Sequence, residues 1–207
     1  AAELAADLGG RARGDLDFAR RLATDPAARQ WIGEVEARVA QALSAGLDQE
    51  DAAVQATLAG VKAVGDRAQQ DAEAETAAAL ERLEKLPASR ELDRERKRLE
   101  TSGKTTATRR RRRAETDMMR AMIATVQLVL RDVLCVQAGA PDRVVSSIDP
   151  ATLAAIAETV SRARLERGIV EVDQVRIALG QPINVSLALA AVFARVRMVR
   201  RREAVVA

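Results

Sequence analysis

Apolar side chains recur every three to four residues along most of this sequence, the spacing that makes one face of an α-helix apolar. The clearest example is the stripe formed by Ile32, Val35, Val39 and Leu43. No stretch alternates apolar and polar residues as a strand would, and the strong helix formers Ala, Leu, Arg and Glu dominate. We therefore predict an all-α fold, a bundle of seven or eight helices.

Capping residues divide the pattern into separate helices. Asp25 is a predicted N-cap with Pro26 at the first helical position, and Gly46 is the predicted end of that helix. Before it, one helix is expected to close at Gly10, and Asp15 is expected to cap a short second helix.

The C-terminal part contains three further predicted helices. The stretch "DPATLAAIAETVSRARLERG" predicts a single helix that begins at Asp149-Pro150 and ends at Gly168. A short helix over "VEVDQVRIALG" follows, and the last helix is capped by Asn184 or Ser186.

The middle of the chain predicts a long charged hairpin. Asp48 caps a helix whose apolar stripe continues to Leu86, where Pro87 stops it, and a charged helix with a possible break at Gly103 follows. Residues 34–85 contain eleven acids and five bases, whereas residues 90–113 contain eleven bases and four acids. These opposite charges favour an antiparallel pair of helices, with Arg96–Arg98 near Ala77–Ala79 and Lys104 near Asp71.

The composition argues against catalysis. The chain of 207 residues has no His, the usual side chain for proton transfer near neutral pH, and its one Cys, Cys135, lies in an apolar run that predicts a buried thiol. Asp71, Glu73 and Glu75 cannot converge on a metal, because alternate residues of a helix point some 200° apart. We expect no catalytic, cofactor or metal site and no small-molecule substrate.

The letters "GKT" at Gly103–Thr105 resemble the end of a phosphate-binding loop. That loop needs a glycine at position 98, where this chain has Arg98, and it should follow a buried strand rather than the charged "RELDRERKRLE". We interpret the match as fortuitous. A membrane span is also not expected, because the most apolar stretch, 118–138, contains Arg120, Arg131 and Asp132.

The five consecutive arginines Arg109, Arg110, Arg111, Arg112 and Arg113 allow two interpretations. They are either a solvated helix segment partly neutralised by the acidic arm, or a contact to nucleic acid. No aromatic residue lies beside them to stack on a base, which argues against recognition of single strands.

Several stretches resemble bacterial clamp-loader subunits. "GDLDFARRLATDPAARQW" is similar to the junction between the lid helix of the AAA+ module and the C-terminal helical domain, and "INVSLALAAVFARVR" is similar to the last helix of that domain. "ATRRRRRAETDMM" and "LVLRDVLCVQAGAP" resemble the delta-prime subunits of actinobacterial DNA polymerase III. Where the ATP-hydrolysing subunits carry Gly-Ser-x-Arg, this chain has Gly14, Asp15, Leu16 and Asp17, so an acid stands in place of their nucleotide-sensing arginine.

The resemblance implies a non-catalytic role in DNA replication. Residues 1–24 would end a lid-type region, residues 25–207 would form the collar domain, and residues 48–103 would be a charged arm inserted in it. The implied partners are the ATP-hydrolysing subunit and delta, in the cytoplasm, with a possible weak DNA contact. The AAA+ module itself would lie upstream of Ala1.

The candidate subunit-interface residues are Asn184, Val185, Leu187, Leu189, Phe193, Val196 and Trp31. Apolar residues at these spacings also fill a chain's own core, so both roles stay open for the last helix and for Trp31. Two other functions remain possible. The chain could be a free-standing helical protein that binds nucleic acid through Arg109–Arg113, or a coiled-coil scaffold that dimerises through residues 48–103.

Overall fold

The computed structural model describes residues 16–44, 50–87, 89–181 and 184–200. Within these ranges the chain forms seven α-helices and one short 3-10 helix and contains no strand, which confirms the predicted all-α class. The α-helices are α1 (Leu16–Thr24), α2 (Pro26–Ser44), α3 (Glu50–Glu84), α4 (Arg90–Gln137), α5 (Pro150–Thr159), α6 (Arg162–Ala178) and α7 (Val185–Arg200). The predicted helix before Gly10, the caps Asp15 and Asp48 and the stop at Gly46 lie outside the described residues.

Side-chain caps begin four of the described helices, including α4, where Ser89 Oγ accepts a hydrogen bond from the N–H of residue 92. Asp25 Oδ1 accepts hydrogen bonds from the backbone N–H groups of residues 27 and 28, and Asp149 Oδ2 accepts one from residue 152. Asn184 Oδ1 accepts from residues 186 and 187, so Asn184 rather than Ser186 caps α7. Each cap satisfies donors that the first helical turn leaves without a partner.

The predicted break at Gly103 is wrong, because Gly103 lies inside α4, an uninterrupted helix of 48 residues. Gly103 lies against Thr76 of α3, and a Cβ atom at this position would collide with the Thr76 side chain. The glycine therefore permits close approach of two helices instead of ending one.

The single helix predicted from Pro150 to Gly168 is also wrong. The chain leaves helical geometry at Val160, whose φ and ψ are −108° and 132°, and α6 begins at Arg162. Gln137 Nε2 donates to the carbonyl oxygens of Ala157 and Val160, at 2.8 and 2.7 Å, which satisfies acceptors that the end of α5 leaves open. Gly168 lies inside α6.

The chain divides into two compact units, and the first comprises residues 1–58 and 119–207. In it, α2 packs against α1, α5 and α7, while α6 packs on α7. A Cβ atom at Gly168 would collide with Val199 of α7 and would lie 3.6 Å from Leu130 Cδ1 of α4, so three helices meet there. The largest fully buried side chains of this unit are Leu22, Leu43, Met119, Met122, Ile123, Leu128, Leu130, Leu153, Ile156, Leu165, Leu189 and Phe193.

Two buried carboxylates hold the loop between α4 and α5. Asp132 Oδ2 accepts hydrogen bonds from the N–H groups of Val145 and Ser146, at 3.0 and 2.7 Å. Glu36 Oε2 accepts from both the N–H and the hydroxyl of Ser147. Both carboxyl groups therefore have a structural role, because one oxygen of each accepts hydrogen bonds from the loop.

The second unit comprises residues 59–118, where α3 and α4 form an antiparallel hairpin. Small residues lie between the helices: Ala72 and Ala107 are buried, and Gly65 lies against Glu115. Gly103 faces Thr76, so the predicted register, with Lys104 near Asp71, is displaced by about one helical turn. The antiparallel hairpin forms as predicted, and the compact unit that contains it spans residues 59–118.

Candidate interaction surfaces

The last helix, α7, uses much of its apolar surface within the chain. Leu189, Phe193 and Val196 are fully buried in the core of the first unit. A partner could reach them only if that core opened, so their interface role finds no support in this structure. Asn184 is exposed as the cap of α7, and Val185 is half-buried.

An apolar face remains on the opposite side of α7. Leu187 exposes 67% of its surface and Met198 exposes 58%. These residues lie on one stripe with Ala191 and Ala194, because steps of three and four residues return to the same side of a helix. Leu187 is therefore a predicted interface residue of α7 whose large apolar side chain is exposed and available to a partner.

The neighbouring helix α6 repeats this arrangement. Val170 and Ile177 are seven residues apart, so they lie on one side of the helix, and they expose 59% and 58% of their surfaces. We call the four exposed side chains of Leu187, Met198, Val170 and Ile177 the apolar face, a name that covers one apolar stripe on each of the two helices. Sequence reasoning missed three of them, although the excess of apolar residues in "VSLALAAVFARVRMV" was a signal that α7 is apolar on more than one side.

Trp31 lies in α2 and is buried, with 8% of its surface exposed. Its indole Nε1 has no hydrogen-bond partner among the described residues. Such burial favours the packing role that the sequence left open, because little of the ring remains for a partner to contact.

The arginine run divides into two groups. Arg110 Nη1 lies 2.8 Å from Glu75 Oε1, and this hydrogen bond holds the pKa of the Glu75 carboxyl below its ordinary value. Arg111 pairs with Asp66 at 2.9 Å and with Glu115 at 3.1 Å. These partners raise the pKa of Arg111, with the hydrogen bond to Glu115 as the largest cause. Both arginines therefore join the two helices of the hairpin.

The other arginines of the run point away from α3. Arg109 and Arg112 are exposed and form no ion pair with any described residue. Arg113 is 3.8 Å from Asp117, one turn along the same helix. The two interpretations of the run thus apply to different residues, with Arg110 and Arg111 neutralised and the rest facing solvent.

The same division continues towards the start of α4. Arg96 pairs with Glu84 of α3 at 3.0 Å and also with Glu100. Lys97 and Arg98 instead line a shallow groove on the outer side, which runs past Thr101 and Thr105 to Arg109. The hairpin thus directs some cations inwards, to acids, and leaves others along its outer side.

Metal-binding clusters are not found among the described residues. No group of three His, Cys, Asp or Glu side chains there could hold a metal ion. Asp71, Glu73 and Glu75 are exposed, with Glu75 paired to Arg110 and Glu73 bonded to Gln69. Cys135 is a free thiol that is half-buried, so the prediction of a buried thiol is wrong.

None of the helices in the described ranges is both long and apolar enough to cross a membrane. Compared with protein-family models, with curated proteins and with solved structures, the chain gives no significant match. The resemblance to clamp-loader subunits therefore depends on the stretches quoted above and on how well the structure accommodates such a role.

Proposed function

We propose that this chain is a non-catalytic protein-interaction domain, specifically the C-terminal collar domain of a clamp-loader subunit of the delta-prime type. In that role it holds the loader together in the cytoplasm while the sliding clamp is placed on DNA during replication. Its partners are the collar domains of the ATP-hydrolysing subunit and of delta.

One observation carries this proposal, namely the apolar face on α6 and α7. Four large apolar side chains of these two helices stay more than half exposed, and a partner that covered them would remove apolar area from water. They lie on two helices that are packed against each other, and the underlying core fixes both helices through Gly168 and Val199. A fixed helical surface of this kind suits a stable contact to other helices.

The quoted sequence stretches support the more specific assignment. The stretch that resembles the final collar helix is the one that forms α7, and the stretch that resembles the lid junction forms α1 and the start of α2. The apolar face therefore lies partly on the helix that the resemblance assigns to subunit contacts.

The test is analytical size exclusion of this chain mixed with the collar domain of the same organism's ATP-hydrolysing subunit, on the order of tens of micromolar. Leu187→Asp and Met198→Lys place charges on the apolar face. Each charge has the sign that its end of α7 favours, so the helix should persist. Leu86→Asp is the matched control, because Leu86 is a similarly exposed apolar residue in the other unit.

We expect the wild type and Leu86→Asp to elute with the partner, and the double variant Leu187→Asp/Met198→Lys to elute alone. Co-elution of the double variant would refute the role of the apolar face. Separate elution of the wild type would argue against the collar, and a wild-type dimer lost in Leu86→Asp would favour the coiled-coil scaffold.

The second candidate is a free-standing nucleic-acid-binding protein, which the solvent-facing cations of α4 favour. The reading frame upstream of Ala1 discriminates between the two. An AAA+ module that lacks a usable phosphate loop supports the collar, whereas a start codon close to Ala1 supports the second candidate.

A further inference from the structure

The outer side of α4 in the hairpin unit carries two groups of cations, at positions 94–98 and 109–112. Arg94, Lys97, Arg98, Arg109 and Arg112 are all exposed. At about 100° per residue, these five positions lie within roughly 60° of the direction opposite Gly103, the residue that faces α3. We call this set the basic outer face.

These cations are less neutralised than their neighbours. Arg98 has Glu95 at 3.8 Å, a long and exposed pair, while Arg94, Lys97, Arg109 and Arg112 form no ion pair with any described residue. Three acids of α3 are paired with other cations, since Glu84, Glu75 and Asp66 lie beside Arg96, Arg110 and Arg111. The basic outer face consequently keeps its positive charge.

The shape of the surface suits an extended polyanion. From Arg94 to Arg112 the helix extends about 27 Å. The groove between the two cationic ends is lined by Thr101, Ser102 and Thr105, whose small side chains allow another molecule to approach the helix closely. A row of cations along a straight helix complements the regular charge of a nucleic-acid backbone, which carries about one charge per 1.7 Å of duplex axis.

The aromatic residues indicate which form of nucleic acid is favoured. Trp31, Phe18 and Phe193 are the aromatic residues of the chain, and none belongs to residues 59–118. Proteins that bind single strands usually stack bases on aromatic rings, whereas contacts to a duplex backbone need only cations and hydrogen-bond donors.

We propose that the basic outer face of α4 binds the phosphate backbone of a nucleic-acid duplex without reading its sequence. This inference is independent of the collar, because it concerns other residues in the other unit. Binding of this kind is electrostatic, so the affinity must fall steeply as salt rises.

The experiment is a fluorescence-anisotropy titration of the full chain against a labelled random-sequence DNA duplex, repeated from about 50 to 200 mM salt. The test variant replaces Arg94, Arg98, Arg109 and Arg112 by Gln. The matched control replaces the exposed residues Arg20, Arg143, Arg167 and Arg200 by Gln, which removes the same net charge from the first unit. Circular dichroism verifies that both variants keep the helical content of the wild type.

We expect the test variant to bind at least about tenfold more weakly and to lose about 3 to 4 from the slope of log affinity against log salt. The control variant should bind within about threefold of the wild type. Equal weakening of both variants, or no salt-dependent binding by the wild type, would overturn the proposal.

Competitors identify the ligand class. Unlabelled duplex DNA or duplex RNA should displace the probe, and the stronger competitor identifies the preferred source of the phosphate backbone. Equal displacement by polyglutamate at matched charge would overturn the proposal in favour of a general site for acidic protein segments. The test variant should still co-elute with the collar partner, because the two proposals concern separate surfaces.

Discussion

The guanidinium of Arg110 donates a hydrogen bond to Glu75, 2.8 Å away and 35 positions earlier in the chain. The contact joins an arm with excess acid to an arm with excess base. It also explains why a run of five arginines is tolerated in the middle of a helix, since the run supplies cations to both sides of α4.

The Arg110–Glu75 pair predicts a specific pH dependence. The folded-state pKa of Glu75 is lowered from 4.5, so the pair stabilises the hairpin above that pH and loses its effect as the pH falls through the lowered pKa. Glu75→Gln should therefore lower the melting temperature slightly at pH 7, and the difference from wild type should shrink as the pH falls through the lowered pKa of Glu75. The effect is small because both side chains are solvent-exposed.

Thermal melts followed by circular dichroism check this prediction. Glu73→Gln is the control, because Glu73 accepts a hydrogen bond from Gln69 and has no cation partner among the described residues. A constant difference between wild type and Glu75→Gln at all pH values would contradict the assignment.

Glycine-to-alanine substitutions should have opposite effects at two helical positions. Gly33→Ala should stabilise the chain by about 1 kcal/mol, because nothing lies within 4 Å of the new methyl group and Ala favours the helix. Gly103→Ala should destabilise it by about 1 kcal/mol, because the collision with Thr76 outweighs the same gain. Urea unfolding of the two variants measures both effects.

The double variant Thr76→Ala/Gly103→Ala tests the cause. It should recover stability relative to Gly103→Ala, since the two sites are in contact and their effects are not additive. If Gly103→Ala stabilises the chain as much as Gly33→Ala does, the explanation by close approach of the two helices at Gly103 is contradicted.

The buried carboxylate of Asp132 should be important for stability. Asp132→Ala leaves the N–H groups of Val145 and Ser146 without their acceptor and should cost about 2 kcal/mol or more. Asp142→Ala, at an exposed site in the same part of the chain, should change stability by less than about 0.5 kcal/mol. Equal effects in chemical denaturation would show that the loop does not depend on Asp132.

Two apolar residues of α7 should differ sharply in their effect on folding. Phe193→Ala removes a fully buried ring and should cost about 3 to 5 kcal/mol, whereas Leu187→Ala should change stability by less than about 0.5 kcal/mol. Denaturant titrations of the isolated chain would contradict this division if Leu187→Ala were as damaging as Phe193→Ala.

Local signals predicted much of the fold. The apolar stripe of α2, the cap at Asp25 and the excess of opposite charge in the two arms all depend on neighbours in sequence, and each appears in the structure. The helix bounds failed where tertiary contacts decide. Gly103 and Gly168 look like helix stops, but both lie inside helices because a side chain of another helix occupies the space beside them.

The candidate surfaces were less predictable for a similar reason. Spacing marks Phe193 and Leu187 equally as apolar, and only the packing of α2 and α6 around α7 decides which of them is buried. In the same way, the sequence shows five equal arginines, and only the register of the hairpin determines that Arg110 and Arg111 meet acids.

The measurement that tests the central claim most directly is the light-scattering mass of the species formed when the wild-type chain is mixed with the collar domain of the ATP-hydrolysing subunit. If the chain is a collar domain, the mixture should contain one hetero-oligomer of defined stoichiometry. The double variant Leu187→Asp/Met198→Lys should instead give the masses of the separate components. The masses of the separate components, unchanged in the wild-type mixture, would contradict the collar role.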